Sequence, residues 1–278
     1  MPTLKSDLSR VLALTMMCIA TLASARTALA KEAFLSLTFD NHTVQRSRTE
    51  LLASPDVRVI DIPASADYRQ PMHYQAIPLA RLIPKPASES LQFKASDGFV
   101  ANIPSGLLYG PSQPWLAIES PRKPWPPLSR DHLSAGPFYL VWLTPEKAGI
   151  SPEQWPYRIA SIAEAPALEK RFPTLLPNTS ANSPPRRGLR VFLANCSACH
   201  TLNGAGDAAV GPDLNDPYNP TEYFQASFLR KLIRAPASVR NWGQRRMPGF
   251  APSVLTDAQL DDLLAYLSQM AHQRSAKP

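Results

Sequence analysis

Two of the three cysteines in this 278-residue chain stand three residues apart, with a histidine directly after the second: Cys196-Ser-Ala-Cys199-His200. The third, Cys18, lies in an amino-terminal segment with the marks of a cleaved leader, so the mature chain is expected to hold no other thiol. That leaves no cysteine for a disulfide framework elsewhere. A Cys2His2 zinc site needs a second ligand pair, and His42, His73, His132 and His272 are scattered singly. A thioredoxin-like C-x-x-C sits at a strand-to-helix junction, whereas Arg187 to Ala198 reads as a helix leading into the motif.

The remaining pattern, C-x-x-C-H, is the attachment signature of a c-type haem. Two thiols at this spacing, at the end of a helical turn, can each add to a vinyl group on one edge of the same haem. His200 then points into the ring as proximal iron ligand, and a methionine opposite it is the pairing that raises the potential in haem electron carriers. The motif occurs once, which predicts one covalent haem and argues against two-haem peroxidases and multihaem carriers.

Lys5 and Arg10 precede an apolar stretch from Val11 to about Leu22, and Ala28-Leu-Ala30 supplies a small-residue cleavage site before Lys31. Residues 1–30 are read as a secretory signal peptide, and the periplasm as the destination, an uncleaved membrane anchor being the alternative. Nothing after residue 31 approaches the roughly eighteen apolar residues of a membrane span, so the mature protein is expected to be soluble. Loss of the leader removes three basic residues and one acidic one, taking the formal charge from +7 to +5. Basic residues cluster around the motif (Arg186, Arg187, Arg190; Arg230, Lys231, Arg234; Arg240, Arg245, Arg246), a distribution that would steer an acidic redox partner. No nucleic-acid recognition motif is present.

Thirty prolines against eleven glycines predict stiff connections rather than flexible linkers. The organisation expected is a β-rich domain over 31–172, a proline-rich linker over 173–184 and an all-α domain over 185–278. In the last, Leu189, Phe192 and Leu193 give the helix before the motif one apolar face. Thr221 to Ala235 reads as a second helix burying Phe224, Phe228, Leu229, Leu232 and Ile233, ended by Pro236. Thr256-Asp-Ala-Gln259 is a capping box opening a third, with Leu260, Leu263, Leu264 and Leu267 on one face.

Residues 185 to 272 resemble the class I cytochromes c. Gly188, Phe192 and Tyr266 look like the family's crossing of first and last helices, and a glycine there lets two backbones approach closely. The resemblance of Gly211-Pro212-Asp213-Leu214 implies that the Pro212 carbonyl orients His200 and strengthens it as a donor to iron. Arg246-Met247-Pro248-Gly-Phe250 looks like the loop that delivers the distal ligand, which assigns Met247 to the sixth position ahead of His272. Tyr218, Trp242 and Arg245 are further candidates for lining the pocket or meeting a propionate, although packing explains the aromatics equally well.

The first domain reads mainly as strands: Phe34 to Phe39, Val57 to Ile62, Leu91 to Ala95, Phe99 to Ile103, Trp115 to Ile118, Phe138 to Leu143 and Tyr157 to Ile162. Asp97-Gly98 marks a hairpin, and Leu79 to Ile83 a helical turn or two. Tyr74-Gln-Ala-Ile-Pro-Leu79, Phe93-Lys-Ala-Ser-Asp-Gly-Phe99, Trp115-Leu-Ala-Ile118 and Gly136-Pro-Phe-Tyr-Leu-Val-Trp142 resemble the sulfite-oxidase-type molybdopterin domain, implying that α+β fold. Those enzymes hold molybdenum through a cysteine that would fall about where Val57 to Pro63 lie, and this domain contains none. Asp61 or Ser65 would be harder ligands than a thiolate, so neither molybdenum catalysis nor a bound molybdopterin is expected. His73, Arg69 and His132 are candidates for lining a remnant pocket, with ordinary surface roles as the alternative.

The function expected is single-electron transfer between redox partners by one His/Met haem, the first domain docking a partner or ligand. The alternative is an oxidoreductase subunit whose first domain binds a pterin or substrate and feeds electrons to the haem. A sensing role would require an open or labile sixth position.

Overall fold

The computed structural model describes residues 32–83, 88–128, 132–240 and 247–274. The leader with Cys18, and Trp242, Arg245 and Arg246, lie outside the described residues. In chain order the elements are β1 (Phe34–Phe39), β2 (His42–Ser47), α1 (Arg48–Leu52), β3 (Arg58–Ile62), β4 (Met72–Pro78), α2 (Leu79–Leu82), β5 (Ser90–Ala95), β6 (Val100–Pro104), α3 (Ser105–Leu108), β7 (Pro114–Ile118), β8 (Phe138–Trp142) and β9 (Ile159–Ala165). There follow α4 (Leu168–Arg171), α5 (Pro184–Asn195), α6 (Pro220–Tyr223), α7 (Ala226–Arg234), α8 (Pro236–Val239) and α9 (Asp257–Ala271).

The β-rich region forms a five-stranded sheet in the order β2-β1-β9-β5-β6 and a four-stranded sheet in the order β3-β4-β7-β8. The β1–β9 pairing is parallel and the other pairings are antiparallel. Strand β8 is a continuous apolar run, and all five of its residues are buried. Asp97-Gly98 does turn a hairpin between β5 and β6, with Gly98 at φ +93° where a side chain would be strained. Strands β2 and β4 lie outside the strands read from sequence. Strand β2 is polar, and its first five residues are exposed; β4 alternates buried Met72, Tyr74 and Ala76 with exposed His73 and Gln75.

Helix α5 starts at Pro184 behind the Ser183 cap, and α9 behind the capping box of Thr256 and Gln259. Their crossing is set by Gly188, and the Phe192 and Tyr266 rings lie 5.5 Å apart beside it. The single helix read over Thr221–Ala235 is instead two: α6, capped by Asn219 and Glu222, and α7, with Phe224 and Gln225 extended between them. The buried residues of α7 are Leu229 and Ile233, one turn apart, with Leu232 and the preceding Phe224 packed half-buried against the same core; Phe228 points away from that line and is 51% exposed rather than buried.

Each region has its own apolar core. Pro173–Leu175 forms a 3-10 turn, Leu168 and Leu175 belong to the helical core, and the Tyr266 hydroxyl donates to the Leu175 carbonyl at 2.9 Å. From Ala33 onward the described residues form one compact unit, so the two cores are packed together. No helix among the described residues is long and apolar enough to cross a membrane.

Candidate haem-attachment site

The C-terminal turn of α5 builds the first half of the site. The Cys196 and Ser197 amides both donate to Phe192, and the Cys199 and His200 amides donate to the Cys196 carbonyl at 3.1 and 2.9 Å. This continued turn keeps both thiols and the imidazole in one short segment. Neither cysteine is in a disulfide. Burial, with a smaller contribution from the Glu153 charge, pushes the Cys196 thiol up to about 12.

The second half is the loop that returns over His200. The Gly211 amide donates to the Cys199 carbonyl at 2.7 Å, and His200 Nδ1 lies 2.7 Å from the Pro212 carbonyl oxygen. A carbonyl only accepts, so Nδ1 carries the proton and Nε2 keeps its lone pair. Gly211 is pressed on the ring: a Cβ there would come within 2.5 Å of Cε1. Burial lowers the pKa of His200, opposed in part by the Pro212 bond and the Asp213 charge. The residues therefore fit a covalent haem: two unbridged thiols, one imidazole of fixed tautomer, and a ring locked in orientation.

Asp213 closes this loop, its carboxylate accepting from the amides of Asn203 (3.2 Å), Gly204 (2.7 Å) and Asn215 (2.7 Å). Buried Asn215 reaches across to the Asn203 side chain and the Met270 carbonyl, joining the loop to α9. Sequence reading assigned neither residue a role.

Met247 is half-buried against the helical core. The segment after it is fixed to α7: the Phe250 amide donates to Ile233, and the Arg234 guanidinium donates to the carbonyls of Phe250 and Leu255. Gly249 sits where a Cβ would lie 2.5 Å from the Arg234 carbonyl oxygen. His272 caps the end of α9 and is exposed. Tyr218 is 63% exposed, its ring 5.6 Å from the Arg274 guanidinium carbon.

In the β-rich region a pocket of about 440 Å³ opens beside β4, its lining including Met72, His73, Tyr74, Lys123 and Trp125. The structure brings His73 to it, but not Arg69 or His132. Beneath it Ser65 is buried, its hydroxyl 2.9 Å from that of Tyr74 and 3.3 Å from that of Tyr139.

Residues 185–271 match the family model described as cytochrome c. Over 54 residues the chain is 33% identical to a cytochrome c from Ulva intestinalis, an alignment that takes in 18% of this chain. The chain spans about half the length of that relative, 49%. With a C-x-x-C-H turn closing α5 and a prolyl carbonyl holding its histidine, residues 185–271 form a cytochrome c domain.

Proposed function

We propose that this protein is an exported, single-haem electron carrier of the periplasm, delivered there by residues 1–30. Cys196 and Cys199 hold the haem, His200 and Met247 ligate its iron, and Pro212 orients His200. The observation that carries this reading is the His200–Pro212 bond, which dedicates Nε2 to a metal and supports the imidazole from behind. Haem c bound there supplies a one-electron ferric/ferrous couple. The partners are redox proteins. Acidic ones are favoured by the basic surface, although Arg187, Arg230 and Arg234 already pair with Asp262, Asp261 and Asp257, which weakens the outward field.

The β-rich region, read as a sulfite-oxidase-type domain without its metal-binding cysteine, docks a partner or a ligand. The pocket beside Tyr74 and Trp125 favours a second reading, in which this region takes up a pterin or substrate that supplies electrons. Against molybdenum stands Ser65, whose oxygen is already engaged by two tyrosine hydroxyls.

Protein produced through its export route should carry one covalent haem per chain and show the weak red-edge absorption band of a methionine–ferric bond. Met247→Ala should abolish that band; its persistence would sink the ligand assignment. Stoichiometric molybdenum in the purified protein would overturn the carrier reading in favour of the second.

A further inference from the structure

The loop that reaches Pro212 is gripped from outside the helical region. Asp207, at its start, has a side chain only 15% exposed, and four side-chain hydrogen bonds converge on its carboxylate. Arg171 of α4 makes two, at 2.8 and 2.6 Å; Gln92 of β5 donates at 2.8 Å and Asn102 of β6 at 3.1 Å. Arg171 also donates to the Asn102 side-chain oxygen at 2.9 Å, which sets that amide with its nitrogen toward Asp207. Main-chain bonds continue the contact: Ala209 donates to Gly98 at the hairpin turn, and Val100 at the start of β6 donates to Ala198, between the two haem thiols. Two residues beyond Ala209, Gly211 packs on the His200 ring and Pro212 accepts from it.

We propose that the β5–β6 hairpin is a working part of the haem centre, and that Asp207, held by Arg171, Gln92 and Asn102, is a positioning residue for His200. It fixes the near end of the 207–212 loop, as Asp213 fixes the far end, so the strength of the His200–Pro212 bond depends on a carboxylate clamped by the other region of the chain. This deepens the electron-carrier reading and rests on it for the role of His200. A buried carboxylate with two neutral amides and one guanidinium is a rigid anchor, because removing any donor leaves a lone pair unsatisfied. A slack loop lets the prolyl carbonyl drift from Nδ1, making His200 a weaker donor to iron and the ferric form less favoured.

The test uses the full haem-loaded chain. The double variant Gln92→Ala/Asn102→Ala removes two donors without changing charge; Asp207→Asn keeps the shape if the pair folds poorly. Glu89→Gln, which breaks the neighbouring Lys170–Glu89 ion pair, serves as control. Amide exchange at Gly211 and Val100 should accelerate at least about tenfold in the double variant and in Asp207→Asn, and stay unchanged in Glu89→Gln. The midpoint potential of the double variant should move upward. Faster exchange at Val100 alone, with Gly211 and the potential as in the unmodified chain, would mean that the clamp merely joins the two regions, and would overturn the proposal. Unchanged exchange at both amides would overturn it too. The exchange arm reads the clamp with or without haem, whereas a chain that takes up no haem sinks the electron-carrier reading itself.

Discussion

Gly188 on α5 and Asp262 on α9 approach so closely that a Cβ on the glycine would lie 2.0 Å from the Asp262 carbonyl oxygen and 2.6 Å from Tyr266 Cβ. The obstacle is backbone, which cannot rotate out of the way. Arg187 then ties the same turn together, donating to both Asp262 carboxylate oxygens at 2.8 and 2.7 Å. Gly188→Ala should therefore force the helices apart and destabilise the domain by about 1–3 kcal/mol. Thermal unfolding of the haem-loaded protein checks this, and an unchanged midpoint would mean the crossing has slack.

Gly211→Ala acts on the imidazole proposed to ligate iron rather than on a helix pair. The new methyl carbon would meet three atoms of the His200 ring at 2.5 to 2.9 Å, so ring or loop must shift. The expected result is an altered visible spectrum and loss of exchange protection at the His200 ring N–H. Gly106→Ala, where a Cβ meets nothing within 4 Å, should leave the spectrum untouched.

The hairpin contact should be sensitive to acid. Burial tends to raise the Asp207 pKa, but hydrogen bonds from Arg171 and Asn102, with the charges of Arg171 and Lys94, outweigh it and hold the carboxyl below its ordinary value. A depressed folded pKa gives stability that is present above the unfolded value and is lost as pH falls through the folded one. Stability measured by urea unfolding should thus fall, as pH drops below about 4, by less in Asp207→Asn than in the unmodified chain. Parallel pH profiles would show that Asp207 contributes nothing to the slope.

Thr256→Ala removes one half of the α9 capping box, in which the Thr256 hydroxyl accepts from the Gln259 amide while the Gln259 side chain accepts from Thr256. The expected cost is about 1 kcal/mol of domain stability. Equal stability of the variant would show that water satisfies that end of the helix as well.

What the sequence disclosed followed the range of each interaction. The C-x-x-C-H turn, the capping box at Thr256 and the Asp97-Gly98 hairpin are local, each encoded within about five residues, and they were legible. The break between α6 and α7 was not. Phe224 and Phe228, four residues apart, keep a helical rhythm across it, and the extended backbone at Phe224 and Gln225 breaks a run whose spacing alone reads as continuous. The grip on Asp207 was invisible for a different reason: Gln92 and Asn102 lie 115 and 105 positions away, on strands where a polar residue reads as surface. Strand β2 escaped because an exposed edge strand has no apolar alternation to betray it.

The bond from Val100 to Ala198 bears on the order in which this molecule can be made. In the folded chain strand β6 lies against the peptide that carries both thiols, and the burial that lifts the Cys196 pKa to about 12 leaves that sulfur with far less thiolate at neutral pH than an open cysteine has. A protonated thiol is a poor nucleophile. Covalent joining is therefore favoured while residues 196–200 are still loose, and a chain folded beforehand should react more slowly than an unfolded one. Strand β6, although it precedes the motif in the chain by about a hundred residues, is thus favoured to close on it afterwards. The last step of maturation would then be the meeting of two regions rather than the folding of either.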